Sequence, residues 1–208
     1  MDLSILIKPS NPLSNAYTVT GISVCLIISA TCIFLAPFWM PSDYSWAQNV
    51  ISESAAQGLA NAWIARLGFL LFGAAVLLLS FFSRPYWGRI SYWFFLVFAA
   101  CMFGTAAFSH KPWHPELQFD YFEDVLHSIT ASGMGFAFSF GVLGRLFQRE
   151  KSSLLYIVSD WTALIAAFGL PLFGSQLPNT AGLVQRTLFV IAYGWFAIEM
   201  VCIFRLRK

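Results

Sequence analysis

The chain has 208 residues, of which 58% are hydrophobic, 18% aromatic and only 11% charged, with a formal net charge of +2. A soluble domain carries roughly 25% charged residues, so the composition excludes a soluble enzyme, a disordered chain, a disulfide scaffold and a nucleic-acid binder. A multi-pass membrane protein remains: at about 20 apolar residues per crossing, the length allows about six spans.

Six apolar runs stand out, and each predicts a transmembrane helix. The first lies at about 17–40. The segment ahead of it carries Pro9 and Pro12 and no basic stretch against an apolar core. The first run is therefore expected to be a retained span, not a cleaved signal. The second, about 59–82, contains Gly68 and Gly73 and one cation, Arg66. The third is about 90–108. The fourth, about 124–147, is the richest in small residues: Ala131, Ser132, Gly133, Gly135, Ala137, Gly141 and Gly144. Small residues let helix backbones approach closely, which predicts this helix as the centre of the bundle. The fifth and sixth are about 153–173 and 184–204. The expected fold is all-α, one transmembrane domain over 1–208, because the runs are apolar on every side and lack the alternation of a membrane barrel. Cys25, Cys32, Cys101 and Cys202 all fall inside these runs without CxxC spacing and read as small apolar packing residues.

Orientation follows from the basic residues. Lys8, Arg84, Arg89, Arg145, Arg149, Lys151, Arg205, Arg207 and Lys208 share one side, and Asp43, Glu53, Glu116, Asp120, Glu123 and Asp124 the other. Both termini are expected in the cytoplasm, with a bacterial inner membrane as the setting and the lipid bilayer as the first partner. Trp39, Trp46, Trp63 and Trp113 read as an outward aromatic belt, and Trp87 and Trp93 as an inner one.

Polar chemistry concentrates on the outward side. His110, His114 and His127 are the only histidines, and they share their segment with Glu116, Asp120, Glu123 and Asp124. Glu123 and His127 are i, i+4, so a helix starting near Asp124 places them on one face. Imidazole with carboxylate is a competent ligand set for Zn²⁺ or a related divalent ion. His110, His114, Glu123 and His127 are the candidate ligands. Pro112 and Pro115 make the intervening stretch a loop, whose two histidines could fold back over the helix end and complete a site or could equally lie at the lipid head groups. Arg66 lies about 10 Å inside the second span at 1.5 Å per residue. A charge there needs a partner, and Glu53, Glu123 and Asp124 are the candidates.

Two acids approach from the other side, Asp160 in the fifth run and Glu199 in the sixth. Their depths match, so they could meet on neighbouring antiparallel helices. Two close carboxyls would share a proton, with Arg145 as a possible counter-charge. No nucleophile elbow, phosphate-binding loop, dinucleotide fingerprint or haem-attachment motif occurs.

The stretch Asn49-Val50-Ile51-Ser52-Glu53 ahead of Leu67-Gly68-Phe69 and Phe72-Gly73, together with Gly104, Phe108 and His127, resembles a prokaryotic membrane family, domain of unknown function 998. Ser54-Ala55 stands where that family shows Leu-Gly, Glu123 where it shows a first histidine, and Ser128 where it shows an acid. The resemblance implies about six spans and a polar site at the start of the fourth, with no activity attached. More distantly, Ser-Glu with histidines on other helices is similar to lipid-modifying hydrolases of the alkaline-ceramidase and progestin-receptor-like group.

Three function classes follow. One is a metal-dependent lipid-active hydrolase or ligand-binding protein, with Glu53 or Asp124 as base and Arg66 holding an anionic head group. The second is a non-catalytic subunit packed against a membrane-protein partner. The third is a proton-coupled small-solute transporter using Asp160 and Glu199.

Overall fold

The computed structural model describes residues 12–114, 116–149, 153–174, 176–177 and 179–206. Lys8, Lys151, Arg207 and Lys208, used above for orientation, lie outside these residues, as do Pro9 and Pro115. Six long helices account for the fold: α1 (Pro12–Leu35), α2 (Ala62–Ser83), α3 (Arg89–Ala107), α4 (Tyr121–Gln148), α5 (Leu154–Gly174) and α6 (Ala181–Leu206). Short 3-10 turns, Ala36–Trp39 and Ile51–Ala55, lie in the α1–α2 connection. No strand occurs among the described residues. All six helices are long and apolar enough to cross a membrane.

α4 begins at Tyr121, three residues ahead of the expected start. The cause is local: Asp120 caps it, its Oδ1 accepting from Phe122 N at 2.8 Å and Glu123 N at 3.2 Å. Glu123 and Asp124 then sit in the first turn and Arg145 in the last, as the helix dipole favours.

Sequential helices pack side by side, and α6 returns to touch α1 and α2. α2, not α4, is the most enclosed: half of its most apolar stretch is buried, against a third of α4's. Lipid tails are as apolar as leucine, so close packing rather than water exclusion drives helix association here. Gly68 shows the fit. A Cβ at that position would lie 2.6 Å from Ile33 Cγ1 and 3.2 Å from Ile33 N, and Ser29 Oγ donates to its carbonyl at 2.6 Å. On α4, a Cβ at Gly141 would lie 2.5 Å from the Phe95 ring. Gly133, Gly141 and Gly144 of α4 thus serve its contact with α3 instead of marking the centre.

The middle of the bundle is aromatic. Phe72 stacks on Tyr193 at 4.1 Å, Phe98 meets Phe196 at 5.3 Å, and Phe95 meets Trp195 at 5.1 Å. This layer separates two polar regions, one at the end carrying the long α1–α2 and α3–α4 connections (the loop end) and one at the opposite end (the terminal end).

Candidate functional site at the loop end of the bundle

The α3–α4 connection is laid along the first turns of α4 by four successive residues. Phe108 ends α3 in an extended conformation, which exposes the next backbone groups. His127 Nδ1 donates to Phe108 O at 2.8 Å, and Ser109 N donates to Glu123 Oε1 at 2.7 Å. His110 Nδ1 and Lys111 N both donate to Asp124 Oδ1, at 2.6 and 2.8 Å. The His110 and His127 rings stack at 5.2 Å. The carboxylates of α4 thus replace the backbone partners that an extended segment lacks.

Gln57, which sequence reasoning passed over, fastens this loop to the α1–α2 connection. Its N donates to His110 O at 2.9 Å, its Nε2 to Ser109 O at 3.1 Å and Asp120 O at 3.0 Å, and its Oε1 accepts from Asp120 N at 2.7 Å. No spacing rule singles out such a residue, because its partners are backbone atoms of a distant loop.

His110 folds back over the helix end, onto Asp124. His114 turns elsewhere, with Nε2 3.1 Å from Asp43 Oδ2 and Nδ1 3.4 Å from Glu116 Oε1. Among the described residues, no three His, Cys, Asp or Glu side chains gather where they could hold a metal ion. The four candidate ligands have separate occupations: His110 on Asp124, His127 on a backbone carbonyl, Glu123 on a backbone amide, and His114 on Asp43 and Glu116. Outside the membrane-spanning segments, Asp43 is held below the usual carboxylate range, chiefly because Trp113 Nε1 donates to it at 2.8 Å.

Arg66 does not pair with any of its three candidate acids. Its Nε donates to Ala55 O at 3.2 Å, and no carboxylate among the described residues approaches it to ion-pair distance. Glu53 is turned back on its own segment, where Oε2 accepts from Val50 N at 2.7 Å and Asn49 Nδ2 at 3.1 Å. Arg186 completes this end. It is 1% exposed, and it donates to Trp46 O, Asn49 O and Tyr44 Oη, each at 2.7 Å, with its guanidinium 4.7 Å from the Trp46 ring centre.

Among the described residues, three buried atoms at this end have no hydrogen-bond partner: His127 Nε2, Ser109 Oγ and Arg186 Nε. His127 is 2% exposed. Because Nδ1 carries the proton donated to Phe108, Nε2 of the neutral ring is a bare acceptor. One turn further along the same face of α4 is Ala131, which lines a cavity of about 200 Å³. Small residues make the space: Ala131 and Gly135 on α4, Ala163 and Ala167 on α5, and Ala192 on α6. A Cβ at Gly135 would touch nothing within 4 Å. Gln185 lines the same cavity, and its Oε1 accepts from Ile51 N at 2.5 Å, which makes its remaining amide group a donor.

The terminal end is built differently. Asp160 and Glu199 are joined through Arg149, and Arg145 lies beside Glu199. Arg149 donates to both acids, and Arg145 Nε donates to Glu199 Oε2 at 3.0 Å. Trp195 Nε1 donates to Asp160 Oδ1 and Trp87 Nε1 to Glu199 Oε2, each at 2.8 Å. Each carboxylate thus faces at least one arginine. Trp87 is no belt residue: it is 3% exposed, whereas Trp93 is 57% exposed. Arg149 was missed as a partner because it lies one residue past the end of α4, where a basic residue reads as a loop charge.

Six packed apolar helices with polar groups confined to their two ends define a multi-pass membrane protein. The chain matches the family described as "Protein of unknown function (DUF998)" over residues 23–201 and belongs to it. No curated protein and no solved structure matches it.

Proposed function

We propose that this protein binds an amphiphile from the surrounding bilayer, with the apolar part in the α4–α5–α6 cavity and the polar head at the loop end. The observation that carries this reading is His127 Nε2, a buried acceptor without a partner, placed one turn from the cavity wall at Ala131. A buried polar atom left unpaired costs about 1–3 kcal/mol, and an incoming ligand donor would recover it. The cavity is apolar with one polar side chain in its lining, Gln185, and an apolar pocket with few polar groups is the usual construction of a small-molecule site. By the charge distribution the loop end faces outward, so the site opens toward the outer half of the bilayer.

Mass spectrometry of protein purified in a mild detergent tests the reading. Wild type should retain about one amphiphile per chain. Ala131→Trp, which fills the cavity, should lose it while eluting at the same volume. Equal retention by both proteins would overturn the proposal. A cysteine placed at exposed Glu116 should be labelled from outside intact cells by a membrane-impermeant reagent. Labelling only after lysis would reverse the orientation.

A further inference from the structure

The lining of the α4–α5–α6 cavity is unequal at its two ends. Phe72, Phe98 and Phe138 close it toward the middle of the bundle, where their rings touch. Gln185 alone among the lining residues carries a side-chain nitrogen or oxygen, and no lining residue is ionisable. It stands near the start of α6, at the loop end. The backbone orients its carboxamide. Ile51 N can only donate, so the side-chain atom 2.5 Å from it is Oε1. The NH2 group remains, with no partner among the described residues. Neighbouring bonds hold this arrangement. Gly182 N donates to Gln48 O at 3.2 Å and Leu183 N to Ala47 O at 3.0 Å, and Arg186 donates to Trp46 O and Asn49 O. Segment 46–51 is thus strapped to the first turns of α6 on both sides of Gln185. A Cβ at Gly182 would lie 2.2 Å from Asn49 O, so this close approach needs glycine. A donor held in this way loses little freedom when a ligand binds it.

One donor on an otherwise apolar, uncharged wall selects among functional groups. A carboxylate or phosphate inside the cavity would be a buried charge without a counter-ion. A hydrocarbon leaves the NH2 group unpaired. An alcohol accepts from Gln185, but its own proton then finds no side-chain oxygen or nitrogen in the lining, since Oε1 is taken. A carbonyl accepts and brings no donor of its own. We propose that the occupant is an acyl ester whose carbonyl oxygen accepts from Gln185 Nε2. Its alkyl chain runs from there toward Phe72, Phe98 and Phe138, and the rest of the molecule lies beyond Gln185 at the loop end. About 200 Å³ is below the ~300–1,000 Å³ of pockets for drug-sized ligands, so a single acyl chain enters. The inference rests on the amphiphile-binding reading above and adds the group that joins chain to head.

Infrared spectroscopy of the full chain in nanodiscs of ether-linked phosphatidylcholine, whose lipids carry no carbonyl, tests this. The probe is a long-chain fatty-acid methyl ester, isotopically labelled at its carbonyl carbon. Its carbonyl band should lie at lower frequency with wild type than in protein-free nanodiscs, as a hydrogen bond requires. In Gln185→Leu it should return to the protein-free position. Displacement of a fluorescent polyene fatty-acid methyl ester gives the affinities. On wild type, a methyl ester should compete at concentrations about fivefold lower than the hydrocarbon of equal length, the worth of one neutral hydrogen bond. The matching alcohol and carboxylate should both be weaker than the ester. On Gln185→Leu, ester and hydrocarbon should draw level. Gln185→Met takes its place if that variant does not fold. An unshifted band on wild type, a shift that survives in a folded Gln185 variant, or an alcohol or carboxylate stronger than the ester would overturn the carbonyl assignment and leave amphiphile binding intact. Absence of saturable probe binding, or binding unchanged in Ala131→Trp, would overturn both.

Discussion

The two polar regions use the same kinds of side chain for opposite ends. At the terminal end, two acids and two arginines neutralise one another, and two indole N–H groups take further carboxylate oxygen positions. Asp160 and Glu199 are both 0% exposed, and neither is without partners. At the loop end, acids and histidines are spent mainly on backbone atoms of two connections, while Arg66 has no acid and His127 Nε2 has no donor. A closed network holds α4, α5 and α6 together; an open one leaves hydrogen-bonding capacity unused among the described residues. The contrast teaches that burial of charge alone does not mark function. Incomplete satisfaction is the better signal.

The largest effect should come from opening the closed network. Arg149→Met strips Asp160 and Glu199 of a shared cation, and breaking a buried pair in this way costs about 3–5 kcal/mol. Thermal unfolding in detergent should show a marked fall, partly restored by adding Asp160→Asn, which removes the uncompensated charge. A variant as stable as wild type would show that the terminal cluster is not structural.

Next in size is Asp124→Asn, which weakens the bonds to His110 and Lys111 N. Hydrogen bonds to a charged group are worth about 1.5–3 kcal/mol, so a loss of that order is expected, with faster hydrogen exchange confined to residues 108–114. A global rather than local change in exchange would erase the distinction between the two ends.

His127→Phe should cost less, about 1 kcal/mol for the bond to Phe108, because Nε2 has no partner to lose. Ligand retention should nevertheless fall sharply. A stability loss matching that of Arg149→Met would place His127 in the closed class.

The smallest effect concerns Asp43. Trp113 holds its carboxyl below the ordinary value, so its contribution is present above about pH 3.9, the usual carboxylate pKa. It is lost as the pH falls through the lower, folded value. Trp113→Phe should remove this part of the acid-side loss in melting temperature. An unchanged profile in the variant would assign that loss to other groups.

Much of the terminal cluster was legible because depth along a span is a matter of counting. Asp160, Glu199 and Arg145 were read as neighbours from distance to the helix ends alone. Arg149 and Trp87 were not, since one lies just past a helix end and the other in a short turn, and only the packing of α2, α4 and α6 brings them inward. The loop-end histidines were legible as a concentration, but not as an arrangement. His114 and Glu123 went to Asp43 and to Ser109 N because the path of the loop decided which donors lacked partners.

The sequence by itself determined that this chain carries six apolar runs long enough to cross a membrane, since such runs have no stable place in water. It also determined that polar chemistry sits at the two ends, since charges are costly within the apolar interior. Tertiary structure alone decided which polar atoms are satisfied. Satisfaction depends on angstrom-scale contact between segments far apart in the chain, as with Gln57 against Ser109 and Asp120. For the same reason the cavity was invisible beforehand: it exists where small residues of three helices face one another, and facing is a property of packing.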